Sequence, residues 1–220
     1  MIKQPRRHPS NSYLHLHDED TFRGLPLITS CAPFITEYLE RLYETTQLAL
    51  SDHPWVFALR FDLRFPDGCL LRESTSAVIS RFVDAMTVRV RLIRARSRRV
   101  NGTAHQTSVR WCWIKEIGEE GRLHYHFVLL LNRDAYHTVG RFDLGRESLY
   151  SRIQSAWANA LAISAEDVVG LVHIPPNAEY HLSEDDPAEM DEYFHRVSYL
   201  CNSAIEGYGS RCRTFSCSRD

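Results

Sequence analysis

The tripeptide His124-Tyr125-His126 sits at the head of an apolar run, Phe127-Val128-Leu129-Leu130-Leu131, and a run of that kind reads as a strand. Residues two apart on a strand face the same way, so both imidazoles project from one side. Two neutral imidazoles on a rigid backbone make a clamp for a divalent metal ion. Glu116 supplies a third ligand if the chain turns at Glu119-Glu120. That hairpin sets Glu116 opposite His124, with its carboxylate on the histidine face. A His, His, Glu set suits Mn²⁺ or Mg²⁺ and leaves positions open for phosphate oxygens.

A rival pair, His15-Leu16-His17, is followed by Asp18, Glu19 and Asp20. No strand pattern fixes it and no partner strand orients it, so it reads as surface polar sequence. Tyr193 and Tyr199 fall in the last helical stretch. A tyrosine hydroxyl beside a metal-held phosphate can attack it and form a covalent phosphotyrosine. Most tyrosines on amphipathic helices are core or edge residues instead. The cations are almost all arginine: Lys3 and Lys115 are the two lysines among 26 positive residues. Arginine's planar fork suits phosphate. Arg60 and Arg64 are candidates on a strand face, whereas Arg89, Arg91, Arg94, Arg96, Arg98 and Arg99 crowd the end of a long helix. That crowd is either a solvated end complementing the helix dipole or a patch facing phosphate. His173 is expected at a strand end.

Positioning these groups falls to a short series of elements. Alternation of Phe57, Leu59, Phe61, Leu63 and Phe65 with Ala58, Arg60, Asp62 and Arg64 predicts a strand over Trp55 to Phe65, greasy on one side and charged on the other. Helical spacing predicts helices from Pro33 to about Asp52, about Ser76 to Arg96, about Glu147 to Leu161 and about Ala188 to Ala204. Strands are expected at Val109 to Ile117, Leu123 to Asn132 and Val168 to Ile174, with a polar loop from His181 to Pro187. The order α, β, α, β-hairpin, α, β, α implies an α+β fold: an antiparallel sheet with helices mainly on one face and the other partly free. Residues 1–30 are polar and read as an N-terminal arm, leaving 31–220 as one domain.

At 220 residues and 44% hydrophobic content the chain supports one sizeable core. No apolar run approaches the roughly 20 residues that span a bilayer. The basic N-terminus lacks the apolar stretch of a secretory signal, so a cytoplasmic location is expected. The six cysteines include no CxxC pair, and reduced, structural thiols are expected rather than a disulfide framework or a zinc site. A net charge of -2 excludes a uniformly basic coat for nucleic acid.

The segments "GRLHYHFVLLLN", "SYLCN" and "GYGSRCRTFSCSR", with "LRFDLRFP", "AWANAL" and "GLVHIP", resemble in order the inovirus-type replication protein family, also known as the YagK/YfjJ C-terminal domain of prophages. More broadly they are similar to the HUH endonucleases that start rolling-circle replication. The likeness covers most of the chain from Trp55 onward. It implies an RRM-like palm and a metal-dependent enzyme that nicks single-stranded DNA, or a DNA hairpin, at a replication origin, with host replication proteins as further partners. By position it makes His124 and His126 the metal pair, Glu116 the accompanying acid and Tyr199 the nucleophile. The 5′ phosphate would join Tyr199 and leave a free 3′ hydroxyl. The sequence departs from the family at Asn202, where a lysine usually follows the tyrosine by three residues. Arg196, Arg211 and Arg213 are the cations placed to stand in for it. The alternative is a DNA-binding replication or copy-control protein of the same fold that has lost catalysis.

Overall fold

The computed structural model describes residues 6–67, 75–118, 121–140, 148–205 and 213–219. Short strands open the chain: β1 (Arg6–His8), β2 (Asn11–His17), β3 (Thr21–Phe22), β4 (Leu25–Pro26) and β5 (Phe34–Ile35). Helix α1 (Thr36–Asp52) leads to β6 (Val56–Arg64), α2 (Thr75–Asn101), β7 (Arg110–Ile117) and β8 (Leu123–Asn132). Then follow α3 (Leu149–Leu161), β9 (Val172–His173), β10 (Glu179–Leu182), α4 (Pro187–Val197) and β11 (Phe215–Cys217).

One antiparallel sheet organises the molecule in the order β10-β6-β8-β7-β11, with β9 also pairing β6. The alternation in β6 acts as expected. Phe57, Leu59, Phe61 and Leu63 turn to one side with Phe127, Leu129 and Leu131 of β8, and α2 and α3 cover them. Phe61, Phe82, Phe127 and Trp157 form an aromatic knot there, with ring centroids 5.0–6.2 Å apart. Helix α2 supplies Val78, Ile79, Phe82, Met86 and Val90 at helical spacing. Gly102, at φ +75°, takes the left-handed turn that ends it.

The α+β class is thus present, but the helices do not gather on one face. Val56, Ala58, Cys112, Ile114, Val128 and Leu130 make a second apolar surface, which α1 and α4 bury through residues such as Leu39, Leu42, Tyr193 and Phe194. This cover stops at the apolar part of the sheet. The rows beyond it carry Asp62, Arg64, Glu116, His124 and His126, so that end of the face stays open.

Other differences have local causes. The stretch read as a loose arm contains the β1–β2 hairpin, which pairs through β2 with β5. The last helix stops at Val197, and a 3₁₀ turn over Ser198–Cys201 follows it. β10 occupies the start of the expected polar loop, and β11 pairs with β7 in the tail. Cys112 and Cys217, opposite each other in that pairing, are joined as a disulfide, contrary to the expectation of reduced thiols. Cys31 and Cys201 are free, and Cys69 and Cys212 lie outside the described residues. No helix among the described residues is long and apolar enough to cross a membrane.

Candidate metal centre

The β7–β8 hairpin brings the first three groups together. Gly118 N donates to Arg122 O across the turn at 2.9 Å, and the pairing that follows sets Glu116 opposite His124 and Ile114 opposite His126. On the other side of β8, Arg64 faces His124 and Asp62 faces His126. β9 extends the second row by placing His173 opposite Asp62. Directly paired residues share a face. The site is therefore two rows across one sheet: Glu116, His124, Arg64 and then His126, Asp62, His173.

One oxygen is the focus. Glu116 Oε2 lies 2.5 Å from His126 Nε2 and 3.4 Å from His124 Nε2. It also accepts the Tyr199 hydroxyl at 2.9 Å. The Tyr199 ring meets His126 edge-on, with centroids 5.0 Å apart. Each histidine directs its other nitrogen away from this point. His126 Nδ1 donates to Asp62 Oδ1 at 2.7 Å, and His124 Nδ1 donates to Arg122 O at 3.3 Å. A carboxylate on the far nitrogen of a ligating histidine fixes its tautomer and raises its basicity, and Asp62 stands in that position.

Tyr199 is held from below. Ser198 Oγ accepts from Ile28 N, Ser203 N donates to Pro33 O, and Asn202 pairs with Phe34 in an isolated bridge. The 3₁₀ turn is thereby pinned to the segment that enters α1.

The electrostatics follow from these contacts. Hydrogen bonds from His124 and His126 hold the Glu116 carboxyl far below its usual range, against the effect of burial. Burial would lower His126, but the bonds to Asp62 and Glu116 outweigh it and raise its pKa to about 9. Burial also opposes ionisation of Asp62, and the His126 bond overcomes it, so that carboxyl is lowered. Burial and the neighbouring Glu116 carboxylate push the Tyr199 phenol well above its normal value.

Glu116, His124 and His126 offer three ligand atoms within 4.8 Å of one another, and they are the one such group among the described residues. Two imidazole nitrogens and a carboxylate oxygen converging from rigid strands fit a first-row or hard divalent cation. Ligands on one such ion stand roughly 3 Å apart, so the His126–Glu116 contact must open slightly to admit it. The rival pair is used otherwise: His15 Nδ1 bonds Glu37 Oε1 at 2.6 Å and His17 Nε2 bonds Thr21 O at 2.8 Å.

The expected phosphate-binding cations divide. Arg64 lines an open cleft of about 650 Å³ together with His124, His126, Asp62 and Arg122. Arg60 lies two residues from Asp62 on the same strand face. Arg196 is exposed on α4, and Arg213 is exposed just before β11, bonded to Ser216 Oγ at 3.3 Å. Arg211 falls outside the described residues. Asn202 carries no charge to the site, and its side chain accepts Ala204 N at 2.8 Å. Tyr193 is fully buried against Thr46 and belongs to the core. Two contributors were not assigned from sequence. Asp62 was visible as a charged position in β6, but its partner depends on a pairing between strands distant in sequence. Arg122 was hidden in the turn.

The family described as the YagK/YfjJ C-terminal domain matches residues 17–218. Two uncharacterized Escherichia coli (strain K12) proteins are similar throughout. YagK is 29% identical over 195 residues, covering 84% of this chain and 93% of its own. YfjJ is 29% identical over 198 residues, covering 84% and 95%. Among solved structures, the nuclease domain of the minute virus of mice non-structural protein-1 overlaps 81% of this chain and 78% of its own at 13% identity. Its TM-score is 0.22, too low to indicate a common fold.

Proposed function

The chain belongs to the YagK/YfjJ C-terminal domain family, and on that footing we propose that it is a metal-dependent endonuclease of phage- or prophage-type replication, nicking single-stranded DNA through Tyr199. The carrying observation is the sharing of Glu116 Oε2 by both histidine Nε2 atoms and the Tyr199 hydroxyl. A phenolic oxygen one contact away from three converging ligands is the juxtaposition that phosphotyrosine chemistry needs.

His124, His126 and Glu116 would hold Mn²⁺ or Mg²⁺, the imidazoles favouring Mn²⁺. When bound, the ion supplies positive charge that draws a phosphodiester oxygen in and stabilises the charge of the transition state. Asp62 keeps the His126 ring oriented, and Arg64 and Arg122 line the cleft by which the strand reaches the centre. Tyr199 Oη forms its bond to phosphorus as the bond from phosphorus to the 3′ oxygen breaks. Its proton leaves to solvent as the bond forms, with Glu116 Oε2 orienting the hydroxyl as its acceptor, and the departing 3′ oxygen takes up a proton to become a hydroxyl. The partner is an origin strand or the loop of a hairpin, and the free 3′ hydroxyl would serve host replication proteins.

Incubation with end-labelled single-stranded DNA and Mn²⁺ tests this. The expected result is nicking by the natural chain, loss of nicking in Tyr199→Phe, and unchanged Mn²⁺ affinity in that variant. Nicking that survives Tyr199→Phe would refute a tyrosine nucleophile.

Asn202 favours a second reading, a chain that binds DNA without cutting it. Its side chain closes a turn instead of steadying phosphate charge. On this reading the natural chain binds without nicking and Asn202→Lys gains nicking. Equal nicking by both would exclude it.

A further inference from the structure

The described arginines fall into two populations. Elsewhere they are spread along the chain, and five meet carboxylates: Arg6 with Asp18, Arg23 with Glu40, Arg41 with Glu44, Arg110 with Asp52 and Arg122 with Asp67. The second half of α2 differs. From Ala85 to Lys115 the sequence has no acidic residue but seven arginines and a lysine, in a chain whose net charge is -2. Arg89 and Arg94 bond only neutral acceptors: Arg89 the carbonyls of Ala85 and Ser155, Arg94 the Ala135 carbonyl and Ser97 Oγ. Arg91, Arg98 and Arg99 are exposed and, among the described residues, have no carboxylate within ion-pair distance. An open groove of about 480 Å³ runs beside them, lined by Arg91, Arg94, Arg98, Arg99, Gln106 and Thr107.

We propose that this groove and the outer face of α2 bind the sugar-phosphate backbone of nucleic acid at a second site, remote from Glu116, His124 and His126. The dipole at a helix C-terminus is satisfied by one or two cations in its last turn. Arg89, Arg91, Arg94, Arg98 and Arg99 exceed that need, and with no acidic residue between Ala85 and Lys115 in the sequence they leave a concentrated positive field. Phosphate supplies the complementary charge, and the guanidinium fork suits its oxygens.

The place of the groove defines its role. Asn132 Nδ2 donates to Gln106 O, which puts the groove at the far end of β8 from His126. Six residues of strand separate these ends, about 20 Å, and α2 lies on the opposite side of the sheet. One nucleotide cannot touch both places. The second site therefore grips a different stretch of the same nucleic acid, either further along the single strand or in a duplex stem beside it. That the ligand is nucleic acid rests on the function proposed above. The binding itself requires no cleavage.

The test uses the full chain carrying Arg91→Gln, Arg98→Gln and Arg99→Gln together, with Arg6→Gln plus Arg41→Gln as the control on paired arginines. Glutamine keeps helix propensity, and circular dichroism checks the fold. Affinity for a fluorescent single strand and for a hairpin of the same loop is measured from 50 to 300 mM salt, a range set to resolve counterion release. The triple variant is expected to lose on the order of 10- to 100-fold in affinity, and its log–log salt slope to fall by about 2–3. The control and the Mn²⁺ affinity should not move. Loss on both probes places a single strand in the groove, and loss on the hairpin alone places a duplex stem there. Unchanged affinity and slope in the triple variant would overturn the proposal even if the chain nicks DNA. Binding without nicking, but lost in the triple variant, would uphold it while the nuclease reading fails. Failure of the natural chain to bind either probe would overturn it. So would self-association abolished by substituting Leu92, an exposed apolar residue of α2, in Leu92→Glu, since a second copy would then occupy this face.

Discussion

Asp62 is the residue on which the candidate metal centre leans without contributing a ligand atom. Its bond to His126 Nδ1 leaves Nε2 aimed at Glu116 and His124. Supporting groups of this type typically change metal affinity by about 10–100-fold. Asp62→Asn is therefore expected to weaken Mn²⁺ binding by that factor, read by calorimetry, while melting at nearly the natural temperature. An unchanged affinity would make the carboxylate a packing partner only. The histidine pair and Glu116 were legible because HxH in a strand and a short hairpin fix their own geometry. Asp62 was not, because it meets His126 through β6 and β8, 64 residues apart.

At the scale of elements, two joints hold the site's walls. Trp157 of α3 is fully buried and its Nε1 donates to Arg64 O at 2.8 Å, locking α3 to the end of β6 beside the cleft. Truncation of a buried tryptophan costs about 3–5 kcal/mol. Trp157→Ala is expected to lower urea stability by that amount, and a loss under 1 kcal/mol would contradict the packing described. At the far end of β7, Arg110 bonds Asp52 at the close of α1, at 2.6 and 3.2 Å. The Arg110 hydrogen bond holds the Asp52 carboxyl below its normal range despite some burial. A carboxyl depressed on folding stabilises above its unfolded pKa, about 3.9, and loses that contribution as pH falls through its folded value. Asp52→Asn should accordingly flatten the loss of thermal stability below about pH 4 and leave little trace of itself in the steepness there. Equally steep acid unfolding in both proteins would exclude this pair as a contributor. Strands and helices with strong periodicity were readable, β6 and α2 most clearly. The 3₁₀ turn holding Tyr199 was not, since the pattern of Tyr193, Val197 and Leu200 continues past the point where tertiary bonds from Ile28 and Pro33 break the helix.

For the whole molecule, the sheet is a partition with different surfaces on its two sides. The apolar residues of both faces are covered, by α2 and α3 on one side and by α1 and α4 on the other. The polar end of the second face is left for chemistry. The sequence pattern of β6 announced a charged face and so a one-sided sheet. It could not show that Val56 and Ala58, small and apolar at the head of that same face, begin a second core. Removal of divalent ions with a chelator is expected to abolish nicking reversibly, with Mn²⁺ restoring it, while salt-sensitive DNA binding through the arginines of α2 persists. Nicking undiminished by exhaustive chelation would remove the metal from the reaction.

The convergence of Tyr199, Glu116 and the two histidines is tested most directly by the covalent product. The natural chain is incubated with single-stranded DNA and Mn²⁺, denatured, digested with protease and nuclease, and analysed by mass spectrometry. The expected result is a nucleotide attached through its 5′ phosphate to the peptide bearing Tyr199, present with Mn²⁺ and absent after chelation or in His126→Ala. Cleaved DNA with that peptide unmodified, or with the nucleotide on Tyr193 or another residue, would contradict it.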